Sequence, residues 1–177
     1  MKDVSRRRFL AVSAATAAAV SAGPTLAKVG KSRTLKMRNL HTGERLSASY
    51  WADGDYVSSG LKQFNRLLRD HRANEVTRMD PKVLDIVYKL KEKLNFSGEV
   101  EIISGYRSAK TNAKLRSAGR GVARRSYHTR GMAIDIRMPG IPLSKLRKAA
   151  LDLKAGGVGY YPKSNFVHVD TGPVRRW

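Results

Sequence analysis

The apolar positions of this chain recur with two different periods, and the changes from one to the other outline its elements. Thr34 to Leu40 and Glu44 to Trp51 are strand-like runs on either side of His41-Thr42-Gly43, a short glycine-containing connector that predicts a hairpin. Asp53-Gly54-Asp55 marks a second turn. Leu61, Phe64, Leu67 and Leu68 then follow at helical spacing, which predicts a helix capped by Ser58 or Ser59 and running to near Arg72. Asp80 as N-cap, with Pro81 in the first helical position, opens a second helix. Its apolar stripe is Val83, Leu84, Val87, Leu90 and Leu94, opposite a solvated face of Lys82, Lys89 and Lys93. Glu99 to Ile103 reads as a short strand, Ser104 to Ser108 as a loop, and Ala109 to Ser117 as a basic helix stopped by Gly119. Met132 to Arg137 returns to strand, Leu143 to Lys154 to helix, and Val158 to Tyr161 with Phe166 to Asp170 close the chain as strands. Strands and helices mix without regular βαβ alternation, so the expected class is α+β, with helices packed on a small, mainly antiparallel sheet.

A chain of 177 residues has room for one domain and a removable leader. Ser5, Arg6, Arg7, Arg8, Phe9 and Leu10 form a twin-arginine pattern, followed by an Ala-rich run to about Val20 and a small residue at Ala27. Residues 1–27 therefore read as a twin-arginine (Tat) signal, which predicts a periplasmic protein. The apolar run falls short of the roughly 20 residues a spanning helix needs, so no integral membrane span is expected. Residues 28–33 read as a flexible lead-in and 34–177 as the catalytic domain.

Thirty-five Lys and Arg against 14 Asp and Glu give a net charge of +21, and loss of the leader leaves +18. Such a charge predicts a polyanionic partner and says nothing of fold. With an export signal, and no helix-turn-helix, finger or RNA-binding signature, the expected partner is an anionic cell envelope and not nucleic acid. The absence of cysteine removes disulfides and thiolate ligands, leaving His and carboxylates to hold any metal.

Two of the four histidines sit in strand-associated motifs that also carry an aspartate. In Ser126-Tyr127-His128-Thr129-Arg130-Gly131-Met132-Ala133-Ile134-Asp135, a carboxylate lies within an apolar strand. Unpaired, it would cost several kcal/mol of desolvation, which a divalent cation offsets. In Phe166-Val167-His168-Val169-Asp170, the period of two puts His168 and Asp170 on one strand face. Two imidazoles and one carboxylate, His128, Asp135 and His168, form a three-ligand set that suits catalytic Zn²⁺ with a fourth position open. The competing reading is two hydrogen-bonded structural histidines and an ion-paired aspartate. His71 falls at helical spacing from Leu61, Phe64 and Leu68, and so reads either as a packing histidine or as a substrate contact. Tyr127, Tyr160 and Tyr161 read as packing or as groove lining, and the arginine-rich loop from Arg116 to Arg125 as a solvated edge or a contact for acidic peptides.

The run S-Y-H-T-R-G-M-A-I-D, followed by H-V-D and preceded by S-G-Y-R-S, resembles the LAS zinc metallopeptidases, the group named for lysostaphin, D-alanyl-D-alanine peptidase and the hedgehog domain. Within it, the Leu68-Arg69-Asp70-His71-Arg72 segment, Gly156 to Pro162 and the Phe166 to Trp177 run are similar to the murein endopeptidases of the MepK (YcbK-like) branch. The resemblance covers nearly the whole chain after the leader. It implies a hedgehog/D-Ala-D-Ala-peptidase-like fold, Zn²⁺ on His128, Asp135 and His168, and Arg107 as stabiliser of the developing oxyanion or orienter of substrate. Ser126, Tyr127 and His71 are the positions expected to meet the substrate. The implied activity is hydrolysis of peptide cross-links in peptidoglycan, at the L,D bond between two meso-diaminopimelate residues, with stem peptides as partners. A D-alanyl-D-alanine carboxypeptidase and a weakly catalytic binding module are the alternatives. One departure stands out. Several relatives carry Glu three residues before the last His ligand, and this chain has Asn165. Asp170 is then the nearest acidic group, either as general base or as an orienting partner of a ligand.

Overall fold

The computed structural model describes residues 31–119 and 121–177. The stretch read as a Tat signal, the first part of the stretch read as a lead-in and Arg120 of the basic loop lie outside the described residues. Among the described residues, eight strands form one sheet: β1 (Ser32–Asn39), β2 (Arg45–Ala52), β3 (Asp55–Tyr56), β4 (Val100–Ser104), β5 (Ala133–Arg137), β6 (Gly157–Tyr161), β7 (Phe166–Asp170) and β8 (Arg175–Arg176). Their order is β3-β2-β1-β4-β5-β7-β6-β8. Pairing is antiparallel except between β1 and β4 and between β6 and β8. With the four α-helices of the described residues, α1 (Ser58–Leu67), α2 (Pro81–Lys93), α3 (Ala109–Ser117) and α4 (Leu143–Leu153), this is the expected α+β class. The sheet is wider than anticipated because β3 and β8, two residues each, are too short to show a period in sequence.

Several boundaries differ from expectation for local reasons. Strand β1 starts at Ser32, inside the run read as lead-in, and Arg33 is held there by an ion pair to Asp85 at 2.6 Å and by the Trp51 ring at 4.4 Å. Helix α1 stops at Leu67, short of Arg72, with Val57 as N-cap and no side-chain cap from Ser58 or Ser59. Asn39 Nδ2 donates to the Leu67 carbonyl at 2.9 Å, and the Asp70 carboxylate accepts from the Arg72 and Ala73 amides, turning the chain away from the helix. His71 is therefore not on the core face of a helix. Asp80 does cap α2, accepting from the Lys82 amide at 3.0 Å, with Pro81 in the first turn.

Helices α2 and α4 pack on each other and against β1, β6 and β7. The strands that cross the middle of the sheet send alternate side chains into that layer. Ile134 and Ile136 of β5 and Val167 and Val169 of β7 join Val83, Val87, Leu90 and Leu146 in the core, nearly all fully buried. Burial of each such side chain is worth about 1.5–3 kcal/mol. The period of two then fixes what the other face carries: Asp135 on β5, with His168 and Asp170 on β7. Hydrophobic packing on one face thus sets the register of the polar residues on the other.

Candidate metal centre and its groove

Sheet register lines up the first part of the site. Ser104, Asp135, His168 and Gly159 are directly opposed across β4, β5, β7 and β6. His128 reaches this row from outside the sheet, on a short 3-10 turn over Tyr127–Arg130. Ser126 caps the turn, its hydroxyl accepting from the His128 amide at 3.3 Å. Gly131 ends it in the left-handed region at φ 67°, where a Cβ would also sit 2.8 Å from the Arg78 carbonyl oxygen. The preceding Gly105-Tyr106-Arg107 loop is tied to the turn by the Arg107 amide donating to the His128 carbonyl at 3.2 Å.

The two histidines and Asp135 converge. His168 Nδ1 lies 2.8 Å from Asp135 Oδ1 and 3.1 Å from His128 Nε2, and His128 Nε2 lies 3.3 Å from the same carboxylate oxygen. All three residues are buried. The outward ring nitrogens are both engaged: His128 Nδ1 with the Gly105 carbonyl at 2.7 Å, and His168 Nε2 with Asp170 Oδ2 at 2.9 Å. Since a carbonyl and a carboxylate only accept, each imidazole carries its hydrogen on the outer nitrogen and turns a lone pair inward. Three electron-pair donors then face one another at 2.8–3.3 Å, with no donor hydrogen between them. Ligands about 2.0–2.2 Å from a shared tetrahedral ion lie about 3.3 Å apart, so the donor set fits one metal ion. The outer partners complete the pattern, fixing each ring as metal-binding histidines are usually fixed.

The electrostatics agree with this reading. Burial would push the Asp135 carboxyl up, but His128 and His168 outweigh it and hold it well below the usual carboxylate range. Burial would push His168 down, and the neighbouring Asp135 and Asp170 carboxylates outweigh that to push it up, favouring positive charge at the position an ion would fill. Both shifts mark a centre that favours positive charge.

The site forms the floor of an open groove of about 820 Å³. Tyr161, Phe166 and Trp177 line it on one side, and Gly121, Val122 and Arg125 of the basic loop also border it. Arg107, 8% exposed, faces the groove with its guanidinium held only loosely, NH1 to Asn112 Oδ1 at 3.3 Å and NH2 to Ser104 Oγ at 3.5 Å. Its Nε is buried without a partner, and burial lowers the guanidinium's proton affinity. A buried cation so poorly satisfied would gain from an anionic oxygen in the groove.

The sequence-derived residues are thus distributed unevenly. His128, Asp135, His168, Arg107, Ser126 and Tyr127 all border the groove, with Asp170 directly behind His168. His71 does not line it and instead stacks on His41, ring centroids 4.1 Å apart. Asn165 occupies a left-handed position, φ 52°, in the turn between β6 and β7, a conformation that asparagine tolerates and Glu does not favour. Sequence reasoning missed Arg175 and Trp177. Arg175 binds Asp170 through both terminal nitrogens, and the Trp177 ring lies 5.2 Å from that of His168. An arginine in a chain so rich in them carries no signal of its own, and the two-residue strand that brings it in has no readable period.

A buried two-histidine, one-carboxylate set at the floor of an open groove on an α+β sheet could hold one metal ion, as the centres of single-metal hydrolases do. Comparison with known proteins narrows the class: the family described as "Peptidoglycan L,D-endopeptidase MepK" matches residues 27–177. A protein of that description from Escherichia coli K12 is 47% identical over 178 residues, covering 99% of this chain and 98% of that protein. "Probable peptidoglycan L,D-endopeptidase MepK" of Haemophilus influenzae is 45% identical over 179 residues, covering 99% and 96%. The chain belongs to the MepK peptidoglycan L,D-endopeptidase family. No solved structure is significantly similar to it.

Proposed function

We propose that this peptidoglycan endopeptidase is a zinc enzyme that hydrolyses the L,D amide cross-link between two meso-diaminopimelate residues, with His128, Asp135 and His168 holding the ion. The observation that carries the metal assignment is the convergence of three lone-pair donors whose outer ring nitrogens are already engaged. The all-N/O set, with three protein ligands and the groove on the open side, favours Zn²⁺. Zinc bound there would supply a Lewis acid for the scissile carbonyl and lower the pKa of a bound water to about 7.

The chain's own groups do the rest. Arg107 directs its poorly satisfied guanidinium at the oxygen that becomes negative as the amide is attacked, a contribution of about 10²–10³ in rate. Asp170 orients His168 and does not act as base. It is fully buried and accepts from His168 Nε2, Arg175 NH1 and NH2, and the Gly157 and Gly172 amides. Five donors fill the roughly four lone-pair sites of a carboxylate, and these contacts outweigh burial to hold Asp170 well below the usual range. Ser126 serves by capping the His128 turn, Tyr127 by walling the groove, and His71 by packing on His41.

Stem peptides carry carboxylates, and Arg107, Arg125 and Arg175 face the groove against a single acidic residue among its described lining, Asp135. The +18 charge left after export concentrates the protein on the anionic envelope. Residues 1–27 act as a Tat signal that delivers the folded domain to the periplasm. Changing Arg6 and Arg7 to Lys should block export, and unchanged export would refute that assignment.

The decisive experiment is digestion of purified muropeptides by metal-analysed wild type and His168→Ala. Wild type should contain one zinc and consume dimers cross-linked between diaminopimelate residues, whereas the variant should lack both metal and activity. Release of terminal D-Ala alone would replace this reading with a carboxypeptidase, and binding to sacculi without fragments would replace it with a binding module.

A further inference from the structure

We infer that Arg175, delivered by β8, is a positioning residue for the metal centre: it clamps Asp170, and Asp170 fixes the tautomer and orientation of the His168 ring. The inference rests on the proposed metal site but concerns residues behind it. Asp170 has no solvent exposure, and a carboxylate buried that deeply costs several kcal/mol unless it is paired and hydrogen-bonded. Among the described residues, the arginine or lysine paired with it is Arg175, with NH2 2.7 Å from Oδ2 and NH1 3.1 Å from Oδ1. This two-point contact fixes the plane of the carboxylate as a point charge would not.

The guanidinium is itself held. Its carbon lies 4.8 Å from the Tyr127 ring centroid and 5.0 Å from that of Trp177, and NH1 also donates to the Pro173 carbonyl at 3.1 Å. The backbone leaves room for the cluster. A Cβ on Gly157 would lie 2.5 Å from both Arg175 NH1 and Asp170 Oδ2. One on Gly172 would lie 2.5 Å from Tyr127 Cζ and 2.9 Å from Asp170 Oδ1, and one on Gly156 would overlap the Asp170 carbonyl. Gly156 and Gly157 at the start of β6 and Gly172 just after β7 thus permit one carboxylate–guanidinium pair to sit behind His168.

The consequence falls on the ring. With Asp170 Oδ2 fixed 2.9 Å from Nε2, the ring hydrogen stays on Nε2 and the Nδ1 lone pair faces Asp135 and His128. The opposite tautomer would put a hydrogen where the metal must bind. Loss of Arg175 frees the carboxylate to rotate, and His168 then samples both tautomers.

The test measures zinc affinity by chelator competition, together with ¹⁵N NMR of the His168 ring in metal-free protein at a pH high enough for the ring to be neutral, for wild type, Arg175→Ala and Arg175→Lys. Arg175→Ala should bind zinc about 10–100-fold more weakly. Its His168 should lose the pure Nε2–H signature, and Arg175→Lys should recover part of both effects. Arg175→Lys carries the test if the alanine variant fails to fold. A folded variant with wild-type zinc affinity and an unaltered Nε2–H signature would overturn the inference. Wild type that binds no zinc would instead overturn the metal reading, and the ring signature would still decide whether Arg175 positions His168.

Discussion

Asp70 is buried to 2% exposure and, among the described residues, forms no salt bridge, yet it shapes the site through the loop that bears Arg107. Its Oδ2 accepts from the Ser108 amide at 2.9 Å and the Ser108 hydroxyl at 2.8 Å, while Oδ1 accepts from the Arg72 amide at 3.0 Å and the Ala73 amide at 3.4 Å. Burial alone would raise its pKa. Hydrogen bonds from Thr111, Ser108 and Arg72 outweigh burial and bring it down to about 2 from 3.8. A carboxyl with a lower pKa folded than unfolded stabilises the protein above about pH 4, and that contribution disappears as the pH falls toward 2. The difference corresponds to about 2 kcal/mol. Asp70→Asn removes the charge and turns an NH₂ toward a ring of donors, so at pH 7 it should cost about 2–3 kcal/mol. For a domain of this size that lowers the melting temperature by about 4–12 °C. The assay is denaturant unfolding of wild type and variant at pH 7 and near pH 2.5. The gap should be wide at pH 7 and narrow in acid, where the wild-type carboxyl begins to protonate. A gap of equal size at both values, or none at pH 7, would show that Asp70 does not bind these donors as a carboxylate.

Other perturbations act on the centre and its surroundings. Arg107→Ala should lower kcat/KM about 10²–10³-fold while zinc content stays at the wild-type level, and Arg107→Lys should recover only part of the loss; zinc analysis beside muropeptide kinetics checks both. Chelation of the metal should lower the melting temperature of the wild type, by an amount equivalent to about 4 kcal/mol if free zinc had been at 1,000 times its Kd, and should leave that of His168→Ala unchanged. His71 is lowered to about 4 from 6.5 by burial first, then by His41 and Arg72. The neutral ring therefore stabilises the fold above about pH 6.5, and this contribution is lost as the pH falls toward 4. His71→Phe should flatten the stability profile between those limits, and a profile parallel to wild type would refute the assignment.

The parts of the site that lie on regular strands were legible in the sequence, because the period of two is read directly from residue spacing. Asp135 between Ile134 and Ile136, and His168 between Val167 and Val169, carry a core face and a polar face in the same five residues. What spacing does not encode is which strands pair. The direct opposition of Asp135 and His168 is a property of the β5–β7 register, separated by more than thirty residues. Helix α1 was overextended because Leu68 continues its apolar period, while the stop comes from Asn39 and Asp70 hydrogen bonds that have no period. Arg175 was invisible for a related reason: its meaning depends on a buried carboxylate five residues earlier, folded back on it by a Gly-Pro turn.

Asparagine in place of glutamate at position 165 does not by itself argue against catalysis. Asn165 is set in a tight turn with left-handed backbone, and Asp170 is saturated by five donors, so neither offers a free acceptor. Both nevertheless act on the same histidine, since the turn at Asn165 brings β7 back along β6 and Asp170 fixes the ring two residues beyond. The glycines at 156, 157 and 172 and the aromatic pair that stacks on Arg175 serve the same end. Much of the segment 156–177 therefore serves to aim one nitrogen lone pair, which is the form of precision a metal-dependent hydrolase needs most.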